Sequence, residues 1–221
     1  MNEPLDPLSV ARQPTQQRAR ARFDRILEES ERLLLEAGLS GFSIPVIAER
    51  LGYTRGSVYA YFPTYYAILN ELVHRYLVDL EAMFVKRADA LLLMHWKQSV
   101  EAVVNMAVKF HNSNPVARLL ILGGPVSDDS YRTQEMTIKR LGNLGRAALL
   151  KNGVKLPKGP PDITTLAAEI GTACFRRSFF DHGEIVPPYR DAAARAMIAF
   201  LADYLEKPAV VPKRPARVAA R

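Results

Sequence analysis

Apolar residues recur at three- and four-residue spacing along almost the whole chain, and β-like alternation never persists, which predicts an all-α fold. A first helix over residues 17–37 turns Phe23, Ile26, Leu27, Ser30, Leu34 and Ala37 to one side, and Gly38 suits its C-terminal stop. Two short helices follow. Ser43 is placed to cap one running to Leu51; beyond Gly52, Thr54 is placed to cap another running to about Tyr61, and Pro63 closes the unit. Thr64 then caps a long helix through Ile68, Leu69, Leu72, Val73, Tyr76, Leu80 and Met83 that ends near Leu92.

Farther on, Lys97 to His111 carries Val100, Val103, Val104, Ala107 and Phe110 on one stripe, and Asn114-Pro115 reads as an N-cap followed by a first-turn proline. Gly123, Gly124 and Pro125 end the helix so begun. Ser130 to Lys151 is helical with Met136, Leu141, Leu144 and Leu149, and the Gly- and Pro-rich stretch 153–161 is a loop. Two last helices run from Asp162 to His182, before Gly183, and from Pro188 to Glu206, which presents Ala192, Ala193, Ala196, Met197, Phe200, Leu201 and Tyr204. No internal repeat is found.

Composition narrows the class. The chain has 221 residues, 48% hydrophobic and 24% charged, as expected of a folded soluble protein. No unbroken apolar stretch, Ala90 to Met94 and Ala196 to Ala202 included, comes near the ~20 residues needed to cross a bilayer, so no membrane partner is expected. Met1 to Pro14 has acids and prolines where a secretory signal would carry a basic end and an apolar run, which points to the cytoplasm. Cys174 is the single cysteine, so neither an internal disulfide nor a cysteine-built metal site is available.

The formal charge of +7 suggests an anionic partner, and its distribution matters more than its size. Residues 1–75 balance nine arginines against nine acids, whereas 207–221 hold five bases and no acid. That tail is interrupted by Pro208, Pro212 and Pro215 and reads as disordered and basic. Within the neutral first segment, Arg12, Arg18, Arg20, Arg22 and Arg25 precede the acids Glu28, Glu29, Glu31 and Glu36. The expected organisation is a flexible basic arm over 1–16, a helix-turn-helix domain over 17–63, a larger helical domain over 64–206 and the tail over 207–221.

The most specific local pattern is Ile47-Ala48, Leu51-Gly52-Tyr53 and Val58, flanked by Ser43 and Tyr61. In a helix-turn-helix, a small residue such as Ala48 lets two helices cross closely, Gly52 supplies the turn, and Ile47, Leu51 and Val58 fill the wedge. The second helix would then present Arg55, Ser57, Tyr59 and Tyr61 to DNA, with Gly56 opening space near a phosphate. Arg55 is the best base reader, because a guanidinium can bond two guanine acceptors at once. By spacing alone, helix pairs of this kind also occur in proteins that never touch nucleic acid.

Arg25-Ile26-Leu27, Leu33-Leu34, Gly38, Ser43 to Ala48, Leu51 to Phe62 and Ile68-Leu69 together resemble the N-terminal domain of tetracycline-repressor (TetR) family regulators. The likeness spans residues 20–75, with the string Gly56-Ser57-Val58-Tyr59-Ala60-Tyr61-Phe62 at its centre. The resemblance implies a homodimer on a near-palindromic double-stranded DNA operator, usually a repressor released when a small-molecule effector, here unidentified, enters the C-terminal domain. It places Ser43 at a phosphate-contacting position and Thr54, Arg55, Ser57, Tyr59 and Tyr61 at recognition-helix contacts. Two positions depart from the pattern. Tyr65-Tyr66 stand where the family commonly has Lys-Glu, leaving only the Tyr65 phenol to meet the backbone, and Val46 stands where helix two usually has an acid. Arginines ahead of the domain can enter a minor groove or remain solvated.

The last two helices suit close packing and resemble the pair that builds the family's four-helix dimer bundle. Two-fold symmetry would set the recognition helices about 34–36 Å apart, or a multiple of that. Met83, Phe84, Met94, Trp96, Met106, Phe110, His111 and Phe175 are candidate effector-pocket residues, with His95 as a further polar candidate and Arg176-Arg177 as a possible anion contact; each also suits an ordinary core or surface role. An enzyme is not expected. The four histidines lack metal-ligand spacing and no nucleophile elbow or phosphate loop is found, so neither cofactor nor metal is assigned. The rival reading is a helical ligand-binding or protein-interaction module with weakened DNA binding, which the Tyr65-Tyr66 departure supports.

Overall fold

A computed structural model of the chain describes residues 7–157 and 159–206. Among these, every regular element is helical: α1 (Gln17–Ala37), α2 (Ile44–Leu51), α3 (Arg55–Tyr59), α4 (Tyr65–Leu92), α5 (Trp96–Ser113), α6 (Pro115–Leu122), α7 (Asp128–Lys151), α8 (Ile163–His182) and α9 (Pro187–Leu205). None is long and apolar enough to cross a membrane.

The first three helices make a small head. Phe23, Ile26, Leu27, Leu33 and Leu34 of α1 are buried against Ile47 and Ala48 of α2, Val58 of α3 and Phe62 just after it. The Phe23 ring stacks on Phe62 at 4.6 Å between centroids and meets the edge of Tyr61 at 5.9 Å. Burying this many large side chains in about sixty residues is what lets three short helices hold one geometry, since each contributes roughly 1.5–3 kcal/mol. α4, 28 residues and therefore ~42 Å long, then leaves the head and runs into the larger bundle. Arg75 on α4 fastens the two parts: its guanidinium binds Asp24 of α1 at 2.9 Å and Glu71 at 2.9 Å while lying over the Phe23 ring.

α5–α9 pack around the distal half of α4. α8 crosses α7 with almost no space between them: a methyl at Gly142 would lie 2.2 Å from the Thr165 hydroxyl oxygen. Gly183, at φ 73, turns the chain from α8 into α9, which returns along it.

Several local expectations change. Ser43 and Asn114 occupy N-cap positions without capping; the Asn114 amide instead donates to the Phe110 carbonyl at 2.7 Å. α7 begins earlier than its apolar pattern suggests because Ser127 caps it in a reciprocal box with Ser130. Its buried positions are Ser130, Gln134, Thr137, Gly142 and Leu149, whereas Met136 faces outward at 57% exposure and Leu144 is 36% exposed. Tyr204 is also exposed. α3 stops at Tyr59 rather than near Tyr61.

The expected free arm takes a different form over residues 8–13. The Thr64 hydroxyl donates to the Leu8 carbonyl, the Asn70 amide to the Ser9 carbonyl, the Gln13 amide to Glu71, and the Arg12 N–H to the Tyr61 carbonyl. The Ser9 hydroxyl bonds Asp129 at the start of α7. Backbone with no helical period can still be held when its carbonyls meet side-chain donors. Arg18, Arg20, Arg22 and Arg25 lie on α1 itself. The expected disordered tail, 207–221, falls outside the described residues.

Candidate nucleic-acid interface and ligand cavity

The corner between α2 and α3 follows from its residues. Gly52 sits at φ 64, in the left-handed region that favours glycine, and the Tyr53 N–H reaches back to the Ala48 carbonyl at 2.8 Å. Ala48 is 1% exposed, so a longer side chain there would push the helices apart. With Val58 and Phe62 both at 0%, the opposite side of α3 must face solvent.

That side carries Arg55, Gly56 and Tyr59, the last 43% exposed. Nothing stands near Gly56 that a methyl would touch. Thr54 caps α3 by accepting from the Ser57 N–H at 3.2 Å, and its hydroxyl pairs with that of Ser57 at 2.7 Å. These two oxygens therefore stiffen the helix start as well as lining its rim. Tyr61 departs from the expected outward placement: it is half-buried against Phe23, and its carbonyl holds the Arg12 N–H. Ser43 is half-buried at the start of α2. Tyr65 and Tyr66 are exposed at the start of α4 with ring centroids 4.1 Å apart. The hydrogen bond to Tyr66, and then desolvation, push the Tyr65 phenol above its usual range, so Tyr65 meets solvent as a neutral hydroxyl. Arg22 of α1 lies over the Tyr53 ring at 5.1 Å, on the head's outer surface.

A second concavity lies inside the larger bundle, a cavity of about 330 Å³ between α4, α5, α7, α8 and α9. Phe84, Trp96, His111 and Phe175 line it as expected. Met83, Met106 and Phe110 pack on the core beside it, and Met94 is exposed at 39% beyond the end of α4. Lining residues that were not among the pocket candidates include Leu80, Val103, Leu141, Gly171, Met197 and Leu201. The glycine is informative, because a methyl at Gly171 would lie 2.7 Å from the Met197 sulfur. His95 instead serves α5 as its N-cap, accepting from the Lys97 N–H at 3.4 Å. Arg177 pairs with Asp181 at 2.6 Å on the surface, and the Arg176 Nε is buried without a partner.

His111 is the polar lining residue with a buried atom left unpaired. Its side chain is 4% exposed, its Nδ1 has no hydrogen-bond partner, and the Phe110 and Phe175 rings lie 5.5 and 6.4 Å away. Burial, and then the nearby charge of Arg118, bring its pKa down to about 4, so the imidazole is neutral at physiological pH. The Ser99 hydroxyl is already committed to the Leu91 carbonyl at 2.8 Å, and that of Thr172 to the Ala168 carbonyl at 2.9 Å.

Comparison with known proteins agrees with this anatomy. Residues 26–72 match the family model described as bacterial regulatory proteins, tetR family. No curated protein matches the chain. Among solved structures, the chain is similar to a proposed TetR-family transcriptional regulator from Mesorhizobium loti, with a TM-score of 0.64 and 14% identity over 86% of this chain and 99% of that one. It is also similar to a TetR-family regulator from Streptomyces coelicolor, at 0.60 and 18% over 83% and 99%. A third is SmeT, the repressor of the Stenotrophomonas maltophilia multidrug efflux pump SmeDEF, at 0.59 and 18% over 86% and 94%. At these identities the structural likeness establishes the fold, while the matched segment covers the helix-turn-helix and the start of α4. Residues 26–72 thus match the N-terminal domain model of the TetR family of bacterial regulatory proteins, on a chain that shares the fold of these solved structures.

Proposed function

We propose that the chain is a homodimeric transcriptional repressor that binds a palindromic operator through α3 and is released from it by a small molecule entering the cavity of the larger bundle. The observation that carries the DNA reading is the division of α3 into two sides, with Val58 and the following Phe62 buried while Arg55 and Tyr59 are exposed. Arg55 is the base reader; Thr54, Ser57, Tyr59 and the Tyr65 phenol contact phosphates, and Ser43 approaches the backbone from α2. Tyr61 supports the helix from behind through Phe23.

Release follows from differential affinity. A molecule that fits the cavity in only one arrangement of α4 and α7 shifts the heads by the difference in its affinity for the two, typically ~1–3 kcal/mol of coupling. α4 is one covalent element from the head, at Tyr65, to the cavity wall at Leu80, Phe84 and Leu91, which gives that shift a path.

Binding to fragments of the gene region beside its own coding sequence tests the reading. Wild-type protein should retain a specific fragment, and Arg55→Ala should lose the preference for it while keeping weak, salt-sensitive binding to all fragments. Equal weak binding by both proteins to every fragment would leave only a ligand-binding module.

A further inference from the structure

The charge inventory of the cavity is one-sided. Among its described lining residues there is no aspartate or glutamate, and the one cation, Lys151, is exposed at the rim. Inside, the wall is built by Leu80, Phe84, Val103, Leu141, Phe175 and Met197, with His111 the lining residue that holds a buried polar atom without a partner. A positive ligand placed there would lose its hydration with no carboxylate to replace it, and the charge of Arg118, which His111 already feels, would repel it. An entirely apolar ligand would leave the imidazole unpaired, as it is now.

From this geometry we infer that the cavity takes an uncharged, mainly apolar molecule bearing a single hydroxyl, an alcohol or a phenol, which His111 pairs while the rest of the molecule lies along α5 toward Trp96. A hydroxyl suits a neutral imidazole in either tautomer, since it both donates and accepts. The fit is also one of length: Trp96 and His111 both line the cavity and stand ~22 Å apart along the α5 axis, so an elongated molecule reaches both. This rests on the reading of the cavity as the effector site, and it excludes lipophilic cations as effectors of this chain.

Trp96 makes the inference directly measurable, being the single tryptophan of the chain and part of the cavity wall. Full-length protein is titrated, without DNA, with para-octylphenol, octylbenzene and octyltrimethylammonium, following tryptophan emission and, independently, heat of binding. The phenol should bind roughly tenfold tighter than octylbenzene, about what one hydrogen bond to a buried group supplies, and the ammonium should give no saturable response. His111→Phe, checked by thermal melting, should bring the phenol-to-octylbenzene ratio to about one. Equal affinity for phenol and octylbenzene in the wild-type protein overturns the inference without recourse to any variant. So does an ammonium that binds as tightly as the phenol, or the absence of binding by all three probes. Because no operator is present, a protein that shows the expected ratios yet never retains specific DNA sinks the repressor reading alone.

Discussion

The Ser127 hydroxyl donates to the Asn70 side-chain oxygen at 2.8 Å, joining the N-cap of α7 to the second turn of α4. The same Asn70 donates its amide to the Ser9 carbonyl at 3.0 Å, and the segment so held continues to Arg12, whose N–H meets the Tyr61 carbonyl at the end of the recognition unit. α7 also lines the cavity through Leu141 and Leu144. A displacement of α7 therefore has two routes to the head, one along α4 and one through this N-terminal strap. Asn70→Ala removes one of the two links from α7 into the strap, the other being the Ser9 hydroxyl on Asp129. It should cost about 1–2 kcal/mol of stability, for two partly buried hydrogen bonds, measured by chemical denaturation. It should also shrink the ratio of operator affinities with and without a cavity ligand, and an unchanged ratio would assign the coupling to α4 and the Ser9–Asp129 bond.

Arg55 and Tyr65 test different parts of the DNA surface. Arg55→Ala should remove about 1–3 kcal/mol of discrimination between the operator and a variant altered at one guanine. Tyr65→Lys restores a cation where the chain has a neutral phenol. It should tighten binding to all sequences alike and steepen the dependence of log affinity on log salt by about one, read from titrations at several salt concentrations. A Tyr65→Lys protein with an unchanged salt slope would place this position away from the phosphates.

Gly142 and Gly171 lie in two of the closest helix contacts and should not respond equally to alanine. At Gly142 the new methyl would meet the Thr165 backbone at 2.7 and 2.8 Å as well as its hydroxyl oxygen, and backbone cannot step aside. At Gly171 it would meet only the side chain of Met197, which can rotate. Alanine gains up to about 1 kcal/mol in helix propensity at either place. Gly142→Ala should still lower stability by about 1–3 kcal/mol, whereas Gly171→Ala should be near neutral and reduce cavity space, both read from thermal unfolding.

What was legible in the sequence is what depends on local periodicity and chain stiffness. The helix spans follow from apolar spacing, and the α2–α3 corner follows from Ala48 and Gly52, because the crossing distance and left-handed turn restrict residue type locally. The interior side of α7 was not legible: Gln134, Thr137 and Gly142 point inward because α8 approaches too closely for larger groups, and that distance is set by another part of the chain. Half of the candidate cavity residues lie elsewhere for the same reason. Met94 falls beyond the end of α4, and only the register of α5 against α4 and α8 decides that His111 rather than Phe110 lines the cavity. The strap over residues 8–13 had no signature, since its backbone groups carry it and its side chains show no period.

His111 gives the fold an acid sensitivity whose sign can be worked out. The unfolded chain takes up a proton at this imidazole near the ordinary value of 6.5, while the folded protein resists until about 4. Between those values the unfolded state binds more protons, so stability falls as pH drops through that window and this contribution levels off below it. The full contribution is about 3 kcal/mol, present above pH 6.5 and lost by pH 4. His111→Phe should flatten that part of the stability profile measured by denaturation at a series of pH values. Replacement by glutamine, which also does not titrate, should flatten it as well, even though glutamine keeps hydrogen-bonding atoms in the cavity. If either variant retains the wild-type slope between pH 4 and 6.5, the proton responsible belongs to another group.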